Sequence, residues 1–259
     1  MRFNLKPVAL TTCLALTLAG CAPLPGKPDP QDPFERFNRG VYQFNDTVDR
    51  AVVRPIAAMY TDLTPSGARS CVSNIFSNIG DIWSGINSFL QGRGVDFFNT
   101  LGRVLFNTTV GLGGCFDVAT ANGANRIPND FGTTLGVWGV GQGPYLVLPL
   151  IGPSTVRDTG GLLGDWVANP VTPGSINDVP VRNTVWGTYF VSKRADLLQA
   201  SDTLDSIALD PYSFTRDAYL QRREALLKGL NSTDLPDYED EDDESIAPVA
   251  AQPVITPQP

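Results

Sequence analysis

Between residues 70 and 155 the chain carries only seven charged side chains: Asp81, Arg93, Asp96, Arg103, Asp117, Arg126 and Asp130. Seven charges in 86 residues is about a third of the roughly 25% usual in soluble domains. From Phe131 to Val156 there is no charge at all, and residues 70 to 155 hold 15 of the chain's 25 glycines. Yet the chain has no run of about 18 or more apolar residues, as a membrane-crossing helix requires. The segment is therefore too poor in charge for an ordinary water-facing surface and too broken for a spanning helix.

Apolar residues recur at helical spacing. In "DPFERFNRGVYQFNDTVDRAVVRPI", Asp32 is placed as an N-cap, Pro33 falls in the first turn and Glu35 stands three residues after the cap. Phe37, Val41, Phe44, Val48 and Val52 then step by four, three, four and four, one face of a helix. Pro55 is expected to end or kink it. "CVSNIFSNIGDIWSGINSFLQG" repeats the pattern through Val72, Ile75, Ile79, Ile82, Ile86 and Phe89, with an opposite face of Ser, Asn and Gly. "VDFFNTLGRVLFNTTVGLGG" does so through Val95, Phe98, Leu101 and Leu105. Two later stretches, "VPVRNTVWGTYFVSKRADLLQAS" and "DPYSFTRDAYLQRREALLKG", read as helices with ordinary charged faces. No run of alternating strand residues and no hairpin turn signal stands out. The predicted fold is all-α, built of amphipathic helices whose polar faces are uncharged.

Such helices suit a soluble bundle with an unusual Ser/Asn face, or a body lying in a bilayer with its apolar side to lipid and its polar side to an internal cavity. Irregular backbone survives in lipid only where protein covers it or it lines a water-filled cavity. Trp83 and Trp138 fit a membrane interface, or a protein interior equally well.

The N-terminus gives the compartment. Arg2 and Lys6, the apolar run Val8–Leu18 and the small residues before Cys21 form a secretory signal over residues 1–20. Leu18-Ala19-Gly20-Cys21 resembles the bacterial lipobox, which makes Cys21 the lipidated N-terminus of the mature chain. Acyl chains there anchor the protein, at about 0.8 kcal/mol per buried methylene. No Asp follows Cys21, which favours the outer membrane. A linker over 21–31, a helical body over 32–230 and a tail over 231–259 complete the expected organisation. Removing residues 1–20 leaves 17 Lys+Arg against 27 Asp+Glu, net −10, of which eight acids lie in the tail. That acidic, Pro-rich tail is predicted to be disordered. The body has no basic face for nucleic acid. In an exported protein Cys71 and Cys115 are expected to form a disulfide.

The chemistry of enzymes is largely missing. There is no histidine, no C-x-x-C and no G-x-S-x-G elbow, which removes His-based triads and most zinc sites. No catalytic residue, metal site or cofactor is expected. Asp202 and Asp205 read as caps or surface charges.

Taken together, "DPFERFNRGVYQFND", "VRPIA", "FLQG", "NTTVGLGGCFDVA", "FGTTLGVWGVGQGPYLVLPLIGPSTVRDTGG" and "DPYSFTRDAYLQRREALL" resemble the MlaA (VacJ) family of outer-membrane lipoproteins, from about Asp32 to Gly229. The resemblance implies a ring-like helical body embedded from the periplasmic side, with a central amphipathic channel. Phospholipids misplaced in the outer leaflet would pass through it to a periplasmic lipid carrier of the MlaC type, beside an outer-membrane porin trimer. It also implies that the uncharged 140–156 segment is a Gly/Pro-rich hairpin beside the channel. There Gly141 and Gly143 would serve as hinges, Pro144, Pro149 and Pro153 as stiffeners, and Tyr145, Leu146, Val147, Leu148, Leu150 and Ile151 as residues facing acyl chains or the channel mouth. Phe44 and Asn45 fall in the family's Asn/Phe-bearing motif and become candidate channel or switch positions. The cysteine pair and the acidic tail depart from the family pattern. A lipoprotein that scaffolds envelope proteins without moving lipid is the alternative, and the charge-poor middle argues against it.

Overall fold

The computed structural model describes residues 29–169 and 176–231. Cys21, the signal and most of the tail lie outside the described residues.

The chain enters one long, continuous helical run. Helix α1 spans Glu35–Val48, a π-helical turn follows over Asp49–Val53, and α2 runs Arg54–Leu63. Pro55 sits in the first turn of α2, where its missing N–H is tolerated, and the wider π turn before it absorbs the irregularity. The proline therefore neither ends the helix nor breaks it. Asp32 is not the N-cap. Phe34 occupies that position without a side-chain cap, while Asp32 is buried and bonded elsewhere.

Helix α3 (Ser66–Leu90) and α4 (Gly94–Thr109) pack side by side. Leu112, Gly113 and Gly114 follow α4 with positive φ, and Cys115 is joined to Cys71 of α3 by a disulfide across 44 residues. Closing a loop of that length stabilises by about 4 kcal/mol in the chain-entropy model. Two short helices follow, α5 (Val118–Ala121) and α6 (Phe131–Val137). Asp117 and Asp130 cap them through side-chain oxygens.

A two-stranded antiparallel hairpin comes next, β1 (Tyr145–Leu148) and β2 (Gly152–Thr155). No strand was expected from the residue pattern. The strands are only four residues long, and the turn at Pro149–Leu150–Ile151 lacks an Asn-Gly type signature. Leu150 instead adopts the left-handed region at φ 62. Helix α7 (Val156–Ala168) packs closely on α6, because Gly161 abuts the Gly132 backbone and Gly164 abuts Phe131. A Cβ at Gly161 would stand 2.4 Å from the Gly132 nitrogen. The described chain closes with α8 (Val179–Asp196), α9 (Leu198–Ile207) and α10 (Pro211–Asn231).

The interior is reversed relative to a water-soluble protein. Among the described residues, seven buried side chains are apolar and 19 are polar or charged. The apolar stripes read from the sequence lie outward: Phe37 is 60% exposed, Phe98 68%, Phe89 66% and Leu105 58%. The Ser/Asn face of α3 turns inward. Asn78, Ser84, Asn87 and Ser88 are all buried. That face was expected to line a cavity. Its members are instead consumed in bonds to neighbouring segments.

Candidate functional site: an inverted shell and a tethered hairpin

The α3 face bonds to the segment entering α6 residue by residue. The Asn129 amide donates to Ser84 Oγ (2.7 Å) and Asn129 Nδ2 to Ser88 Oγ (2.8 Å). Thr134 Oγ1 donates to Asn87 Oδ1 at 2.7 Å, and Gln91 Nε2 donates to Thr134 Oγ1 at 3.0 Å. Where the surroundings are apolar, helices gain little from burying Leu, and small polar residues bonded across the interface hold them together.

All seven charges of the charge-poor stretch have ion-pair partners within the chain, and two of them, Asp81 and Arg103, are buried. Asp81, 1% exposed, accepts from Arg103 and Arg126. Arg103 also reaches Asp117, Thr120 and the Ala124 carbonyl. Arg93 pairs with Asp96. Asp130 and Asp158 share Arg223 of α10, at 2.6 and 2.8 Å. Burial pushes the Asp117 carboxyl up, but bonds from Thr120 and Asn107 and the nearby Arg103 outweigh it and hold it at about 2. Asp158 is likewise held low, with burial overcome by Arg223 and Tyr219. Asp165 goes the other way: burial dominates and raises it, although Trp83 Nε1 donates to it at 2.7 Å. Trp83 is thus an interior residue, whereas Trp138 is 54% exposed.

The hairpin is built against α1 by two asparagines. Asn38 Nδ2 donates to the Tyr145 carbonyl (3.0 Å) and its Oδ1 accepts the Val147 amide (2.9 Å). Asn45 repeats this at the turn, donating to the Leu148 carbonyl (3.0 Å) and accepting the Leu150 amide (2.8 Å). Seven helical residues rise about 10.5 Å, and three strand residues about 10 Å, so the two amides meet β1 in register. They complete an edge that would otherwise carry unpaired backbone groups. Asn38 Nδ2 also reaches Asp32 Oδ1 at 2.8 Å. Asp32 in turn accepts from Tyr212 Oη and Arg216 of α10.

The positions singled out in the hairpin separate into two groups. Tyr145 and Val147 point into the protein, 0% and 1% exposed, against Tyr212. They form the main apolar core, and burial raises the Tyr145 hydroxyl. A contact with acyl chains or the channel mouth, expected of both Tyr145 and Val147, does not fit that burial. Leu146 is half-buried, Pro149 is exposed and Leu150 is 68% exposed. The Pro144 carbonyl accepts the Val156 amide. Gly143 has φ +67 and its missing Cβ would lie 3.1 Å from Val156 Cβ, while Gly141 has open space around it. Phe44 is 51% exposed next to the Asn45 clamp. Asn38, Asp158 and Arg223 were not singled out from the sequence. Asn38 had a signal, its spacing of seven from Asn45. The Asp158–Arg223 contact, 65 residues apart, had none.

This geometry defines a class: a helical protein that satisfies its polar groups inward, presents apolar side chains outward, and among its described residues has no helix long and apolar enough to cross a membrane. The chain belongs to the MlaA lipoprotein family, whose model matches residues 30–226. It is 37% identical over 243 residues to the intermembrane phospholipid transport system lipoprotein MlaA of Escherichia coli K12, covering 88% of this chain and 90% of that one. The Haemophilus influenzae protein of the same name is 32% identical, covering 83% and 88%. A solved chain from work on the structural basis for maintenance of bacterial outer membrane lipid asymmetry superposes with a TM-score of 0.65 at 36% identity, covering 76% of this chain and 98% of that chain.

Proposed function

We infer that this protein moves phospholipid between membranes as an outer-membrane lipoprotein and so maintains the lipid asymmetry of that membrane. The observation that carries the reading is the reversed burial. A chain that hides Asn, Ser, Thr and ion pairs while exposing Phe, Leu and Ile is built for surroundings of acyl chains on its outside. Lipidated Cys21 would fix it to the membrane, with the helical body embedded from the periplasmic side around an amphipathic channel. A periplasmic carrier of the MlaC type would take the lipid away, and a porin trimer would hold the body in place. The reaction is transfer without bond breaking.

The hairpin would control lipid access beside the channel. The two asparagine clamps support a refinement: hairpin and α1 move as one body, with freedom located at Gly141 and Gly143. Replacing both glycines by valine should trap one position and change outer-leaflet phospholipid. An unchanged level would refute the gate.

The test of the main reading is the outer-leaflet phospholipid level in cells lacking the protein. Phospholipid should accumulate outside, be cleared by the intact chain, and not be cleared by Cys21→Ala. No change on deletion would favour a scaffold.

A further inference from the structure

A second site lies away from the hairpin, at the other end of α3. Ser66, Arg69, Ser70 and Ser73 of α3 and Asp196 of α8 line a cleft of about 330 Å³. Arg93, Arg103 and Arg126 all have carboxylate partners. Arg69 has no ion pair or side-chain hydrogen bond to any described residue, and its Nε is buried without a partner. A buried guanidinium N–H without a protein acceptor is unfavourable, and this nitrogen is open to an acceptor brought by a ligand. Ser66 opens α3 after Pro65, which supplies no side-chain cap, leaving first-turn amides and a positive dipole end beside the guanidinium. Asp196 lies in the same cleft, does not pair with Arg69, and accepts one bond, from Ser73 Oγ at 2.8 Å.

A cleft holding a separated cation and anion, with hydroxyls between, suits a ligand that is itself a zwitterion. We propose that it binds a phosphoethanolamine headgroup, the phosphodiester on Arg69 and the Ser66 and Ser70 hydroxyls, the ammonium on Asp196. Leu63, 76% exposed, and Leu197, 56% exposed, flank these segments in the chain and give the acyl chains an apolar way out. A guanidinium matches a phosphate in fork geometry, and the carboxylate supplies headgroup selectivity by repelling lipids whose headgroup is only anionic. The proposal rests on the lipid-transfer reading and adds a preferred substrate to it.

The test is titration of the full detergent-solubilised lipoprotein with short-chain phosphatidylethanolamine, short-chain phosphatidylglycerol, glycerophosphoethanolamine and inorganic phosphate. Phosphatidylethanolamine should bind best. Arg69→Gln should weaken it at least tenfold. Asp196→Asn should leave phosphatidylglycerol bound as well as or better than before while phosphatidylethanolamine weakens, a reversal that a merely structural role would not produce. The disulfide, read by thiol labelling, checks that both variants are folded. Arg69→Gln binding as tightly as wild type, an unchanged lipid preference in Asp196→Asn, or inorganic phosphate competing at the affinity of the lipid would each overturn the proposal. If these fail while deletion still raises outer-leaflet phospholipid, the cleft is wrong and the transport reading stands.

Discussion

Two interiors coexist in this molecule and follow different rules. At the corner of the hairpin, α1 and α10, Tyr145, Val147 and Tyr212 make a small aromatic core, with Tyr42 and Tyr219 packed edge-on or tilted around it. Between α3, α4 and α6 the interior is amide, hydroxyl and ion pair, centred on Asn87, Thr134, Asp81 and Arg103. The first is held as soluble proteins are, by removing apolar surface from water. The second is held by hydrogen bonds and ion pairs, which count for most where nothing outside can replace them. The contrast teaches that one chain can close two interiors by opposite means, one apolar and one polar. The α1–α10 corner carries surface ion pairs such as Arg39 with Asp210, while the α3–α6 layer buries the pair of Asp81 and Arg103.

The largest expected effect comes from the polar interior. Arg103→Met strands Asp81 and Asp117 near one another with part of their partnership gone. Loss of one member of a buried ion pair costs about 3–5 kcal/mol, read as a lowered midpoint of unfolding in detergent. A retained midpoint would mean that water reaches this interior. Next, Asn38→Ala leaves the Tyr145 carbonyl and the Val147 amide unpaired at a buried site, about 1–3 kcal/mol, and hydrogen exchange at Val147 should speed up. Asn45→Ala should release the more exposed Leu150 amide at smaller cost. Equal effects would show that burial does not set the strength of the two clamps.

Asn87→Leu sharpens the comparison further. Alone it takes the Asn87 acceptor from the Thr134 hydroxyl, leaving that hydroxyl only its longer bond to the Asp130 carbonyl at 3.2 Å, and costs about 1–3 kcal/mol. Adding Thr134→Val should recover part of that loss, since an apolar pair needs no partner, the remainder being the Gln91 amide left without the Thr134 oxygen. If the double variant is as unstable as the single, the polar bonds are not what holds α3 to α6. The smallest effect is on pH. Asp117, held at about 2 in the fold against about 3.9 in an unfolded chain, stabilises fully above the higher value and loses that contribution as pH falls toward the lower. Asp117→Asn should flatten acid destabilisation in that window, measured by unfolding at successive pH values.

The helices were legible in the sequence because three- and four-residue spacing of Val72 through Phe89 fixes both element and face. Which way the face points was not, since periodicity is the same for a stripe turned to a core and one turned to lipid. The low charge of residues 70–155 tipped that balance, and Phe98 and Leu105 now stand outward accordingly. The hairpin escaped residue patterning because its register comes from Asn38 and Asn45, more than 100 residues away, and its turn from a strained leucine. Its presence was implied only by family resemblance. Tyr145 was assigned outward because an uncharged run gives no sign of which alternate residues a distant α10 will cover.

The central claim is that the outward apolar surface meets lipid. Single-tryptophan variants retaining Trp166, 63% exposed, or Trp83, 7% exposed, can be placed in vesicles with brominated acyl chains. The account predicts strong quenching of Trp166 and little of Trp83. Unquenched Trp166 in a vesicle-bound protein would contradict it, because the exposed face would then stand in water.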